Sequence, residues 1–350
     1  MVDGKAVAAL LRQQVDLLRV EAGTRGEVLR MLNGLLRELI GELAGHDLTA
    51  FSKARTQQLI VAARGAIDSA YGRVSDRVDA VLGGVADVQA AQAAKLLERI
   101  LAVVDVSAGL PSATYLERAA GNTLVQGAPS ADWWARQAED TALRFADVVR
   151  HGIAAGDTTE GIAARVAGRR GYPGIMEVAR QNARSLVHTS IQEVANEARK
   201  ETFRQNDDVV EGVRQVSTLD SSTTEICIAY DGAEFDLDGE PINGTTLPYE
   251  GGTPRHWGCR SVEVPITKTF KELGIDLPEP EGGTRASADG PVPASMTFEE
   301  FLGQHTAAEQ DEMLGQGRAE LWREGKITLQ QLLDQRGNPL TVEELREKYG

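Results

Sequence analysis

The sequence predicts a mainly α-helical protein with a small α+β unit: a helical N-terminal bundle, a long helix leading into a compact β-containing Cys/His lobe, and a short helical C-terminal tail. Three observations predict it. Apolar residues recur at spacings of three and four from Val7 to about Val104, which winds an apolar stripe along one side of a helix. Aromatic residues make up only 5% of the chain, so the core must be built from Leu, Val, Ile and Ala, the material of closely packed helices. From Val209 the period shifts toward the alternation of strands. At 350 residues the chain is long enough for two or three domains.

Residues 1–128 read as a helical arm or bundle. Leu10, Leu11, Val15 and Leu18, then Val28, Leu29, Leu32, Leu35, Leu36, Ile40 and Leu43, mark its first stripe. Asp47 is placed to cap a second run through Ile60, Ile67, Tyr71 and Val78, which ends in the Ala-rich AQAAKLLERILAVV. Turn formers make residues 105–130 a connector. Residues 129–278 form the next domain. Ser130 is a candidate N-cap for a helix whose Trp133, Trp134, Leu143, Phe145 and Val148 face a core, and Asp157 opens a short helix that Gly171, Tyr172 and Pro173 end.

The long helix spans residues 174–206, with Arg180, Arg184 and His188 four apart on one face. That face is either solvated or a docking edge for the acidic segment after it. Residues 207–270 are the small β unit, with strands at 233–237 and 261–266. The Pro, Gly and Ser content of residues 279–295 indicates a linker. Residues 296–350 form the tail, whose last helix opens with the capping box Thr341 to Glu344.

Charge narrows the function classes. The chain carries a formal net charge of -15, and residues 207–290 hold 17 acids against 6 bases. Tracking phosphates needs Lys and Arg clustered on one face, so direct DNA binding is not expected. No run approaches the ~20 apolar residues of a membrane span, and the N-terminus does not read as a signal peptide or anchor. A soluble protein made in the cytoplasm is the expectation.

Both cysteines lie in the β unit, Cys227 in TTEICIAYDG and Cys259 in TPRHWGCRS, with His256 three residues before the second. Cys and His are donors that zinc prefers, and Asp231 is a candidate fourth ligand. The second half of a C-x-x-C pair is missing. A metal site, a Cys227–Cys259 disulfide and two buried free thiols all remain open. Cys227 with His256 as base lacks a third catalytic member. The acidic run Asp236, Asp238, Glu240 looks calcium-like, but its Gly and Pro are misplaced for that loop. His46, His151 and His305 read as isolated and exposed.

Residues 183–261 resemble the phage head-morphogenesis domain of the Mu F-like minor head proteins. The residues that carry the resemblance are Asp220, Ser221, Thr223, Cys227, Asp231 and Gly232, then Pro254, His256, Cys259 and Arg260, preceded by a long helix rich in Arg, Thr and Asn. Many relatives have a further Cys where this chain has Thr224. The resemblance implies a structural, non-enzymatic minor capsid protein made in the host cytoplasm and packaged inside the head. Its implied partners are portal, scaffolding or major capsid protein. The alternative is an enzyme, a metal-dependent hydrolase or an ADP-ribosyl-type transferase using Cys227, His256 and Cys259, with Glu225 or Asp231 as base.

Overall fold

The computed structural model describes residues 4–46, 53–102, 107–168, 173–276 and 283–350. Two long helices open it, α1 (Gly4–Ala44) and α2 (Lys53–Ile100). A short α3 (Ala113–Asn122) and a hairpin of β1 (Leu124–Val125) and β2 (Ala128–Pro129) follow, so residues 105–130 hold more than the expected connector. Next come α4 (Ser130–Ala154), α5 (Thr159–Ala167) and α6 (Ile175–Arg204). The expected caps at Asp47 and breakers at Gly171 and Tyr172 lie outside the described residues. Ser130 does not cap α4; Pro129 is the N-cap, and Ser130 is its buried first residue.

The β unit contains β3 (Val210–Val216), α7 (Glu225–Tyr230), β4 (Glu234–Asp236), β5 (Pro241–Ile242) and β6 (Val262–Thr267). Its antiparallel sheet has the order β5-β4-β3-β6, with Val213 opposite both Phe235 and Pro265. Beyond it stand β7 (Thr284–Ser287), β8 (Gly290–Pro293), α8 (Phe298–Gly303), α9 (Ala307–Leu314), α10 (Gln316–Arg323), a 3-10 turn at Gln330–Leu332, and α11 (Val342–Tyr349). Among the described residues no helix is long and apolar enough to cross a membrane.

The chain forms two compact units, one of Met1–Asp16, Asp87–Ala113 and Ala195–Gly350, the other of Leu17–Ala86 and Thr114–Val194. They are not the consecutive blocks 1–128, 129–278 and 296–350, because α1, α2 and α6 each contribute to both. In the first unit Val7 and Leu10 of α1, Ala93 and Leu97 of α2, and Val213, Phe235 and Val264 of the sheet share one apolar cluster. Phe298, Phe301, Leu302 and Leu345 belong to that cluster too, so the tail is core rather than appendage.

In the second unit Arg77 of α2 donates to Glu27 of α1 at 2.6 Å, and Tyr71 of α2 meets Thr141 of α4 at 2.9 Å. Trp134 and Phe145 of α4 are buried as expected, whereas Leu143 is exposed. The Arg180 and His188 face of α6 packs on α1: His188 Nδ1 lies 2.7 Å from Glu21, and Arg180 donates to Asn33 at 3.0 Å. Helix α1, rather than solvent or the acidic segment, meets that face at Arg180 and His188.

The buried stripe of α1 also departs from the expected one. It runs through Gln14, Leu17, Glu21 and Thr24, while Val15 is 50% and Leu18 39% exposed. Three polar residues inside the buried face hid its register from a reading by hydrophobicity.

The expected linker at 279–295 is, from Thr284 on, a hairpin. Arg285 anchors it. Its buried guanidinium donates to the carbonyls of Met296, at 2.8 Å, and of Ser217. The N–H of Ala288 also donates to the Leu219 carbonyl at 2.9 Å. Thr297, Thr306 and Thr341 each cap a helix with a reciprocal Glu three residues on.

Gly212 fixes the pairing of β3 with β4, because a Cβ there would lie 2.1 Å from the Phe235 carbonyl oxygen. Gly212→Ala should lower stability by about 2 kcal/mol or more, since backbone rather than a flexible side chain must yield. Gly84→Ala, in open space on α2, should be neutral or stabilising by up to about 1 kcal/mol. Urea denaturation of both variants checks this, and equal midpoints would overturn it.

Candidate metal centre

Two turns meet at the end of the sheet. Thr224 is the N-cap of α7, its hydroxyl accepting from the Cys227 N–H at 3.5 Å, and the first turn of that helix carries Cys227. The second turn runs from His256 to Cys259, closed by the Cys259 N–H donating to the His256 carbonyl at 3.1 Å. Gly258 sits in it at φ +75°, a conformation that favours glycine.

Arg255 holds the approach to this turn. Its guanidinium lies 3.3 Å from the Tyr230 ring centroid and donates to Gln215 at 2.6 Å and to the Tyr249 carbonyl at 2.9 Å. The Thr253–Pro254 peptide bond just before it is cis.

The result brings Cys227, His256 and Cys259 together, all three ligand atoms within 4.8 Å of one another. Cys227 Sγ lies 3.2 Å from His256 Nε2 and 3.5 Å from Cys259 Sγ. The two cysteines are not joined by a disulfide, since 3.5 Å is far beyond an S–S bond of about 2.05 Å. Zinc bonds of about 2.3 Å to sulfur and about 2.05 Å to nitrogen set tetrahedral edges of roughly 3.8 Å and roughly 3.6 Å. The observed edges fall a few tenths of an ångström short, so a modest spreading of the side chains would accommodate the ion.

Protons are shared unevenly. The hydrogen bond from Cys227, reinforced by His256, holds the Cys259 thiol well below its usual range. Cys227 is pushed up by donating to Cys259 and by burial. His256 is raised mainly by its hydrogen bond to Cys259, against burial. A metal ion bound here would displace the protons that these three groups share.

Asp231 is not the fourth ligand. One oxygen accepts the Ser217 N–H at 2.7 Å, the other the Phe298 N–H at 2.6 Å, and Arg285 lies 3.5 Å away. Burial raises its pKa, partly offset by Arg285. Glu225, the other acid near in sequence, faces Arg318 at 3.5 Å.

Of the remaining motif residues, Asp220 takes both guanidinium nitrogens of Arg260, at 2.6 and 2.7 Å. Thr223 donates to the Thr218 carbonyl at 2.5 Å, Ser221 is exposed on the turn, and Gly232 turns the chain at φ +79°. These residues shape the lobe. Asp236 of the calcium-like run accepts from the Asp238 and Glu240 N–H groups at 2.9 and 2.8 Å, a local turn. His305 is not isolated; its Nδ1 contacts the Phe301 carbonyl at 2.8 Å and its Nε2 lies 3.0 Å from Asp289.

Sequence reasoning missed Ser217, Arg255 and Arg285. Only the position of Arg255, beside His256, could have drawn attention to it.

Residues 144–264 match the model of a family described as Phage Mu protein F like protein. Over these residues the chain is similar to the Mu F-like family. The resemblance read from residues 183–261 falls wholly within the match, and so do Cys227, His256 and Cys259. No curated protein and no solved structure matches the chain. The Mu F-like match ends inside β6, short of Arg285 and Phe298, both partners of Asp231.

The pair Asp220–Arg260 fastens the Thr224 turn to the Cys259 turn and lowers the Asp220 pKa, first through its hydrogen bonds with Arg260. A folded-state pKa below the unfolded one stabilises above the unfolded value of about 3.9 and ceases to do so as pH falls through the folded value. Asp220→Asn should therefore cost about 1 kcal/mol at pH 7, a bidentate pair discounted for solvent screening. The gap to the parent should close as pH is lowered toward 3. Urea titrations across that range read it, and a gap independent of pH would refute the role of the charge.

Proposed function

We propose that this protein is a structural and assembly component of a phage head, made in the host cytoplasm and carried inside the capsid. In this reading it contacts portal, scaffolding or major capsid protein, and Cys227, His256 and Cys259 hold a zinc ion that cross-links the lobe. The observation that carries the reading is the Mu F-like match over residues 144–264 with the Cys/His cluster closed inside it.

The chemistry favours a structural ion. Cys227 and Cys259 are both buried, and the neighbouring carboxylates Asp231 and Glu225 are engaged with Arg285 and Arg318, so neither is aimed at an attacking water. When bound, the ion joins α7 to the loop before β6, a link across about 30 residues of chain. The surplus of 17 acids over 6 bases at 207–290 suits a protein stored beside packaged DNA without adhering to it.

Recovery of the tagged protein from assembling particles should bring down portal, scaffolding or major capsid protein; recovery of none of them would overturn the assembly role. For the ion, purified protein should contain about one zinc per chain. Chelation should lower the thermal midpoint by several degrees, and His256→Ala should reproduce both effects. Full stability without metal would rule out a cross-linking ion.

A further inference from the structure

We infer that the metal centre keeps an exchangeable fourth position, with the Thr224 hydroxyl at that corner, and that a small monodentate ligand, water or an anion, binds there from the adjoining cavity. This rests on the zinc reading above and deepens it.

Three observations lead to it. Cys227, His256 and Cys259 make up the whole donor cluster found among the described residues, one short of the four ligands that close a structural zinc site. Thr224 Oγ1 lies 2.9 Å from His256 Nε2, a spacing close to that between Cys227 Sγ and the same nitrogen, 3.2 Å. A neutral hydroxyl is a poor zinc donor beside thiolate, imidazole and carboxylate. It stands where a ligand would stand and leaves the position weakly held.

A cavity of about 150 Å³ opens on this side, lined by Thr224, Cys227 and His256 and by the polar residues Ser222, Ser261 and Arg260. That volume admits several water-sized groups but no large substrate. Hydroxyl donors and a guanidinium suit water or a small anion. A closed four-ligand site would have no use for such an opening.

Cobalt(II) in place of zinc reports the coordination through its visible spectrum, and azide is the probe. The cobalt-loaded full-length protein should show charge-transfer intensity for two thiolates, and azide should shift its visible bands saturably. Thr224→Cys should raise that intensity by about half, tighten metal binding at least tenfold, and abolish the azide response. Since Thr224 caps α7, Thr224→Asp serves as a second variant that keeps a capping oxygen. It should lose the azide response without added charge-transfer intensity. Parent spectra unmoved by azide, or variants that respond as the parent does, would overturn the open position while leaving the metal intact. Failure of the parent and both variants to take up cobalt would overturn the zinc reading and this inference together.

Discussion

The lobe depends on a single buried side chain, Ser217, at the end of β3. Its N–H donates to Asp231, its hydroxyl donates to the Cys227 carbonyl at 2.7 Å and receives the Ser261 hydroxyl at 3.1 Å, and its carbonyl receives Arg285. Helix α7, the strand after Cys259 and the β7–β8 hairpin are thus all tied to one residue. A buried polar group costs free energy unless it is fully paired, so this node is satisfied only when the segments arrive together. The approach of Cys227 to Cys259 follows from it: one is held through its own carbonyl, the other through Ser261, two residues on.

Helix α6 applies the same constraint on a larger scale. From Leu186 onward nearly every residue of the helix is buried or half-buried, including Thr189, Ser190, Gln192, Asn196 and Arg199. Asn196 donates to Glu263 of β6 at 3.1 Å, and Tyr249 reaches the same carboxylate at 3.1 Å. Arg199, 1% exposed, donates to Gln89 of α2 at 2.9 Å, and burial lowers its pKa to about 10. Apolar replacements of similar volume could hold such a site as firmly. What the polar set adds is register: an Arg, an Asn and a Glu meet their partners only when α6 lies at one rotation and one height against β6 and α2.

This explains which features were legible in the sequence. Local signals held, because they depend on a few adjacent residues: the Thr341 capping box forms as read, and the strands expected at 233–237 and 261–266 appear as β4 and β6. Hydrophobic periodicity failed where cores are polar. Gln14, Glu21 and Thr24 displaced the apparent stripe of α1, and the basic face of α6 looked solvated while His188 was paired with Glu21. Composition failed at residues 284–293, since Pro, Gly and Ser also build a tight hairpin, and the buried Arg285 that anchors it resembles a surface charge. At the site, the three soft donors stood out because Cys is rare in this chain. The exclusion of Asp231 did not, because its partners Phe298 and Arg285 lie 54 or more residues away.

Those distances bear on the extent of the domain. Within residues 144–264 Asp231 retains the Ser217 N–H but lacks the Phe298 N–H and the Arg285 guanidinium, leaving the carboxylate without half of its protein partners. Phe298, Phe301 and Leu345 fill the same apolar cluster as Val213, Phe235 and Val264, and removing them would open that cluster to water. The matched segment therefore supplies the Cys/His turns and the sheet, while the residues beyond it supply the floor on which those turns rest. Sequence likeness marks the part of the lobe that carries the Cys/His turns; the physical unit is larger, and it is the larger unit that holds Cys227, His256 and Cys259 at the spacing observed.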